Sequence, residues 1–153
     1  MKKLTSIILT TLFLSQPLFA AGGYSSGTSS ASTNTSKDPF AAVYQLIEVK
    51  KFAEAHKALE NLNVPTKQAD KFNLLGFTAR KSGDLEKAGS YYKRALEINP
   101  KHVRALEYQG ELFLQVGKLA DAKHNLEKIQ RICWLPCDEE KQLEEAIKLA
   151  LKN

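Results

Sequence analysis

The chain has 153 residues, 43% hydrophobic and 25% charged, with a formal net charge of +5. That length suits one domain with a modest core and leaves no room for a large enzyme cleft. The basic excess is mild and no run of five basic residues occurs, which argues against nucleic acid as a partner.

The first element is "MKKLTSIILTTLFLSQPLFA". Lys2 and Lys3 precede an apolar run from Leu4 to Leu14 that is short for a bilayer span, and Ser15, Gln16 and Pro17 break it. The pattern predicts a secretory signal peptide over residues 1–20, cut after Ala20 with Ala21 as the alternative, and an uncleaved anchor as the rival reading. No cysteine follows the cleavage region, so no lipid anchor is expected, nor stable membrane insertion after cleavage. The short bacterial style of the signal points to the periplasm, with full secretion as second choice. Loss of Lys2 and Lys3 takes the charge from +5 to +3. Residues 21–37, nearly all Ala, Gly, Ser and Thr, read as a flexible leader. Its reach is about 20–25 Å. Asn34-Thr35-Ser36 fits a glycosylation pattern and is read as chance.

From Asp38 onward the sequence acquires helical periodicity. Residues 38–68 predict a degenerate helix pair, with Asp38-Pro39 as cap and first helical residue. Downstream, Gly76, Gly83, Leu85 and Ala88 return as Gly110, Gly117, Leu119 and Ala122, an offset of 34. Val103, Leu106, Gly110 and Phe113 share one helical face, as do Leu119, Ala122, Leu126 and Ile129. Gly83 and Gly117 fall where a turn between paired helices needs positive φ. Pro100 and Pro136 mark the ends of the second helices. The divisions are 69–102 and 103–136 for two repeats and 137–153 for a capping helix. In that helix Leu143, Ala146, Ile147, Ala150 and Leu151 form one stripe. Asp138, Glu139 and Glu140 load its first turn, and Lys148 and Lys152 its last, both favourable to the helix dipole. The first pair repeats Phe52 and Ala55 at an offset of 33 but lacks the glycines, so its inter-helix turn is expected to be less regular.

The stretch Phe72 to Pro100, "FNLLGFTARKSGDLEKAGSYYKRALEINP", resembles the tetratricopeptide repeat family. Phe72, Leu75-Gly76, Ala88, Tyr92, Ala95 and Pro100 stand at the family's marked positions. Ala79 departs where an aromatic is usual. The next repeat keeps Leu106, Gly110, Phe113, Ala122 and Leu126 but has Trp134 at the proline position. The resemblance implies an all-α, right-handed superhelical stack of about three helix-turn-helix repeats plus a C-terminal capping helix. The first helix of each pair would line a concave face.

Cys133 and Cys137 are the two cysteines of the chain. An exported protein meets an oxidising compartment, where a close pair is commonly bridged. The favoured reading is a structural disulfide between the last repeat helix and the cap. Its rivals are a redox pair, a metal site and a bond to a partner. Three residues between the cysteines suit a redox motif poorly, and His124, His56 and His102 stand at no recognised ligand spacing.

By the same resemblance, the groove-facing residues would be Tyr44, Asn73, Phe77, Arg80, Lys81, Arg104, Glu107 and Glu111. Aromatics could hold apolar anchors and cations could pair with acidic groups; the competing view has the aromatics packing between helices and the charges merely solvated. The family's carboxylate clamp of Lys, Asn and Arg is not reproduced. No nucleophile–base set, phosphate loop or paired acids in a cleft appears, and Glu139-Glu140 and Glu144-Glu145 read as solvated faces. The expected function is a non-enzymatic scaffold without cofactor or metal, binding a protein or peptide of the cell envelope. The alternative is a thiol-redox or metal-handling helper using Cys133 and Cys137. A structural oligomer would follow if the first pair exposed Phe40, Val43 or Ile47.

Overall fold

The computed structural model describes residues 38–152, all helices and connecting turns. The signal peptide, the leader and the Asn34 pattern lie outside the described residues. The helices are α1 (Ala41–Glu48), α2 (Phe52–Glu60), α3 (Gln68–Lys81), α4 (Leu85–Ile98), α5 (Val103–Gln115), α6 (Leu119–Ile132) and α7 (Asp138–Ala150), with a 3-10 turn at Pro65–Lys67. Each helix packs on its successor, α3 also meets α5, and α5 also meets α7. This is an all-α repeat solenoid.

The three-residue turns show why the period holds. At the end of α3, Gly83 N–H donates to Arg80 O and Asp84 N–H to Ala79 O, both at 3.0 Å. At the end of α5, Gly117 N–H reaches Leu114 O at 3.1 Å and Lys118 N–H reaches Phe113 O at 2.7 Å. Both glycines are left-handed, with φ of 88° and 75°. The pattern closes two carbonyls that a helix end leaves open. Asp84 then caps α4 by accepting from Lys87 N–H at 3.1 Å.

The first turn departs from expectation by being just as regular. Lys50 N–H donates to Ile47 O at 2.9 Å and Lys51 N–H to Leu46 O at 2.8 Å, the same pair of bonds. Lys50 takes the glycine position with φ of 59°. The packing of the pair imposes the turn, and a non-glycine residue carries the backbone cost. The start of α1 also moves: Asp38 Oδ1 accepts from Phe40 N–H at 3.2 Å, and its carbonyl accepts from Ala41 N–H at 3.0 Å. Asp38 therefore turns the chain ahead of the helix, which begins at Ala41 rather than Pro39.

The core runs as linked clusters along the stack. Phe40, Val43, Ala55 and Leu59 of the first pair pack against Leu74 and Leu75 of α3. Ala79, Ala88, Tyr92 and Leu112 follow. Leu106, Ala122, Ile129, Leu143 and Ile147 close the far end. Fully burying a leucine or isoleucine side chain contributes about 1.5–3 kcal/mol. Ala88 and Ala122 are both 0% exposed, so their small size sets the closeness of neighbouring helices. Gly76 and Gly110 do the same for larger partners: a Cβ on Gly76 would lie 2.5 Å from the Tyr92 ring, and one on Gly110 2.6 Å from Leu143.

Two expectations about apolar surface are corrected. Phe40 and Val43 are buried and Ile47 is partly buried, so the full exposure at these positions on which a structural oligomer would depend is not found. On α7 the stripe narrows to Leu143 and Ile147, while Ala150 and Leu151 are exposed beyond the last packed turn.

Candidate partner-binding groove

The odd-numbered helices build one face. A concavity of about 230 Å³ is lined by Tyr44 of α1, Asn73 and Phe77 of α3, Arg104 and Tyr108 of α5 and Glu139 of α7, with nothing from α2, α4 or α6. A second hollow of about 440 Å³ lies further along the same helices, between Arg80 and Lys81, Glu111 and Gln115, and Leu149 of α7. The alternation follows from the repeat: first helices face inward to the groove, and second helices form the outer layer.

Of the eight residues expected in the groove, Tyr44, Asn73, Phe77 and Arg104 line the first hollow. Arg80, Lys81 and Glu111 line the second. Glu107 lies beneath the floor at 1% exposure. Of the competing view, the part in which charges only solvate the groove fails for the buried Arg80 and Glu107. The part in which aromatics pack between helices holds for Phe77, which meets Phe52 of α2 and Tyr108 of α5.

Arg80 organises the floor. Its guanidinium pairs with Glu111 across the α3–α5 contact, and its Nε donates to the Tyr92 hydroxyl at 3.4 Å. It also lies 5.9 Å from the Phe77 ring centre and 5.7 Å from that of Tyr108, within cation–π range. Lys81, exposed, sits 5.5 Å over the outer part of Phe77. Phe77 and Tyr108 meet with centroids 5.0 Å apart and form the aromatic middle of the groove. Burial pushes the Glu107 carboxyl up to about 8, with the nearby Glu111 charge acting in the same direction.

At the rim, Arg104 donates to Glu139 at 3.3 Å. Glu139 therefore faces the groove and is not simply a solvated acid. His102 caps α5, its Nδ1 accepting from Ala105 N–H at 3.1 Å, and its Nε2 lies 3.1 Å from Asp70. Tyr108, Asp70, His102 and Glu139 were missed in the sequence. The period could have found Tyr108, because Leu74, on the same face as Asn73 and Phe77, maps to it by 34 residues.

At the α6–α7 junction the Cys133 and Cys137 α-carbons are 6.1 Å apart, with their sulfurs facing each other. That spacing is within the range a disulfide requires. Trp134 and Leu135 between them are 93% and 62% exposed. Among the described residues no group of three or more His, Cys, Asp or Glu is gathered as a metal site would need.

The tetratricopeptide repeat family model matches residues 69–102. Photosystem I assembly protein Ycf3 of Acaryochloris marina (strain MBIC 11017) is 35% identical over 79 residues, covering 52% of this chain and 46% of its own length. The chain thus spans just under half of that relative. Among solved structures, the type III secretion chaperone SycD of Yersinia enterocolitica, in complex with a peptide of the translocator YopD, is similar with a TM-score of 0.62 at 24% identity, over 79% of this chain and 92% of that one. PcrH from Pseudomonas aeruginosa gives a TM-score of 0.65 at 18% identity, over 78% of this chain and 94% of that one. At such identities the likeness is one of fold. Residues 69–102 thus match a tetratricopeptide repeat, and the chain's 34-residue period is expressed as nested helix pairs of the same fold.

Proposed function

We propose that this protein is a non-enzymatic interaction module that holds a peptide or protein segment in the groove of its first helices. The observation that carries this reading is the hollowed face of the first helices, with the aromatics Tyr44, Phe77 and Tyr108 lining its first concavity. Such a face offers apolar anchor sites within a polar frame, as peptide-recognition grooves do. Two structures of similar fold support it: SycD in complex with a peptide of YopD, and PcrH in complex with the chaperone binding region of PopD. The remaining groove residues Asn73, Arg80, Lys81, Arg104, Glu107 and Glu111 would frame the ligand.

The proposal includes the compartment. Residues 1–20 would direct export to the periplasm, where the partner would be a protein of the cell envelope and Cys133–Cys137 a structural disulfide. A photo-crosslinking residue placed at Phe77 in the native host should capture a discrete partner, while the same residue at the exposed Lys123 on the outer layer should not. Equal capture at both positions overturns the groove reading. Cell fractionation and thiol labelling without reductant test the rest: the expected protein is periplasmic and unlabelled.

A further inference from the structure

Two buried acceptors beneath this face have no partner, and they hold the same place in successive repeats. Asn73 Oδ1 on α3 and Glu107 Oε1 on α5 make no hydrogen bond among the described residues. Their residues are 2% and 1% exposed. A buried polar atom left bare costs about 1–3 kcal/mol, so a pair of them in register calls for a specific reason.

The charges around Glu107 point the same way. Arg80 of α3 pairs with Glu111, and Arg104 of α5 pairs with Glu139 of α7. Two cations thus face three carboxyls. Arg80 Nη2, itself buried and without a hydrogen bond by geometry, is committed as an ion pair to the partly exposed Glu111 and does not reach Glu107. Tyr92 of α4 and Tyr108 of α5 add hydroxyls whose ionisation burial disfavours. From α6, Asn125 meets α5 with its amide, donating to Leu106 O at 3.1 Å and Gln109 Oε1 at 3.0 Å. Lys81 lies exposed over Phe77 and, among the described residues, makes no ion pair.

We infer that the groove selects a basic segment, in which an N–H donor of the ligand satisfies Asn73 and a Lys or Arg side chain supplies the cation that Glu107 lacks. The inference rests on the groove being the binding face. Phe77 and Tyr108 line the first hollow with aromatic surface suited to the aliphatic stem and charged head of such a side chain. The ligand cation converts Glu107 from a neutral acid to a carboxylate, so binding releases a proton into solvent. The Glu107 carboxyl of the empty groove sits at about 8. Affinity for a cation should therefore climb as pH rises from 6 to 8, by up to about 50-fold, and then level off.

The test uses the protein lacking residues 1–20 and short fluorescein-labelled Ala–Leu peptides with one central residue, Lys in the first, norleucine in the second and Glu in the third. Anisotropy titration at pH 8 should place the Lys peptide about tenfold or more ahead of norleucine, with Glu weakest. Glu107→Gln should erase the Lys advantage, bringing the Lys and norleucine peptides to the same affinity as each other. If that variant does not fold, the wild-type ratio of Lys to norleucine affinity between pH 6 and pH 8 decides, because only the Lys peptide should strengthen. Norleucine or Glu binding as well as Lys overturns the inference but leaves peptide binding intact. If none of the three binds, the groove reading falls with it.

Discussion

Replacing Gly76 with alanine tests the packing that sets the repeat. The new Cβ would lie 2.5 Å from Tyr92 Cε1, 2.6 Å from Cδ1 and 3.0 Å from Cζ. Tyr92 is 0% exposed, and its hydroxyl is engaged by Arg80, so the ring has nowhere to retreat. Overpacking of this kind costs about 1–3 kcal/mol. The better helix propensity of alanine offsets about 1 kcal/mol of whatever the clash costs. A net loss of up to about 2 kcal/mol is expected, equivalent to a fall of up to roughly 8 °C in Tm for a domain of this size. Gly89→Ala is the control: its Cβ would lie an ordinary 3.5 Å from Leu112, so only the propensity gain of about 1 kcal/mol remains. Urea unfolding followed by circular dichroism measures both. If Gly76→Ala proved as stable as Gly89→Ala, the argument that bare glycine faces fix the helix spacing would be refuted.

Lys50→Gly should stabilise by about 1 kcal/mol, because a residue with φ of 59° is relieved of its backbone cost; an unchanged urea midpoint would refute this. Glu107 gives a pH signature. Its folded value of about 8 lies above the ordinary 4.5, so the folded state binds more protons between those limits. Its contribution is fully present below pH 4.5 and is lost as pH rises through 8, a change on the order of a few kcal/mol. Glu107→Gln should match the wild type near pH 5 and exceed it at pH 9 in urea midpoint, and a parallel loss in both proteins would count against the buried acid. Cys133→Ser with Cys137→Ser should lower stability by about 2 kcal/mol relative to the oxidised protein, on the chain-entropy model for so short a loop. Thermal melts of the wild type with and without reductant should differ by the same amount, and coincident melts would show that no bond constrains the loop.

Features set by local pattern were legible in the sequence. The 34-residue offset located the helix pairs, and glycine at Gly83 and Gly117 announced the turns. Lys50 was not legible, because tertiary packing rather than residue type enforces its left-handed backbone. The groove was legible as a face: Asn73, Phe77, Arg80 and Glu111 all fall on it. What each residue does there was not. Arg80 and Glu107 read as surface charges, yet both are buried, because α3 and α5 pack closely enough for Arg80 and Glu111 to pair between them. Glu139 looked like a solvated helix start until α7 folded back beside α5 and met Arg104. Such pairings depend on distances between elements, which helical periodicity does not encode.

The position of α7 gives the cysteine pair a physical purpose. Leu143 fills the notch left by Gly110, and Glu139 closes the rim against Arg104, so this helix stands where the first helix of another repeat would stand. The groove therefore depends on the angle at which α7 leaves α6. Between Cys133 and Cys137 the chain has no buried side chain to fix that angle: Trp134, Leu135 and Pro136 are all exposed. The cysteines themselves pack partly against the cluster that contains Ile129 and Leu143. A covalent link there would hold the junction where burial cannot, and its effect would reach the groove through Glu139 and Arg104 rather than through any contact with a ligand.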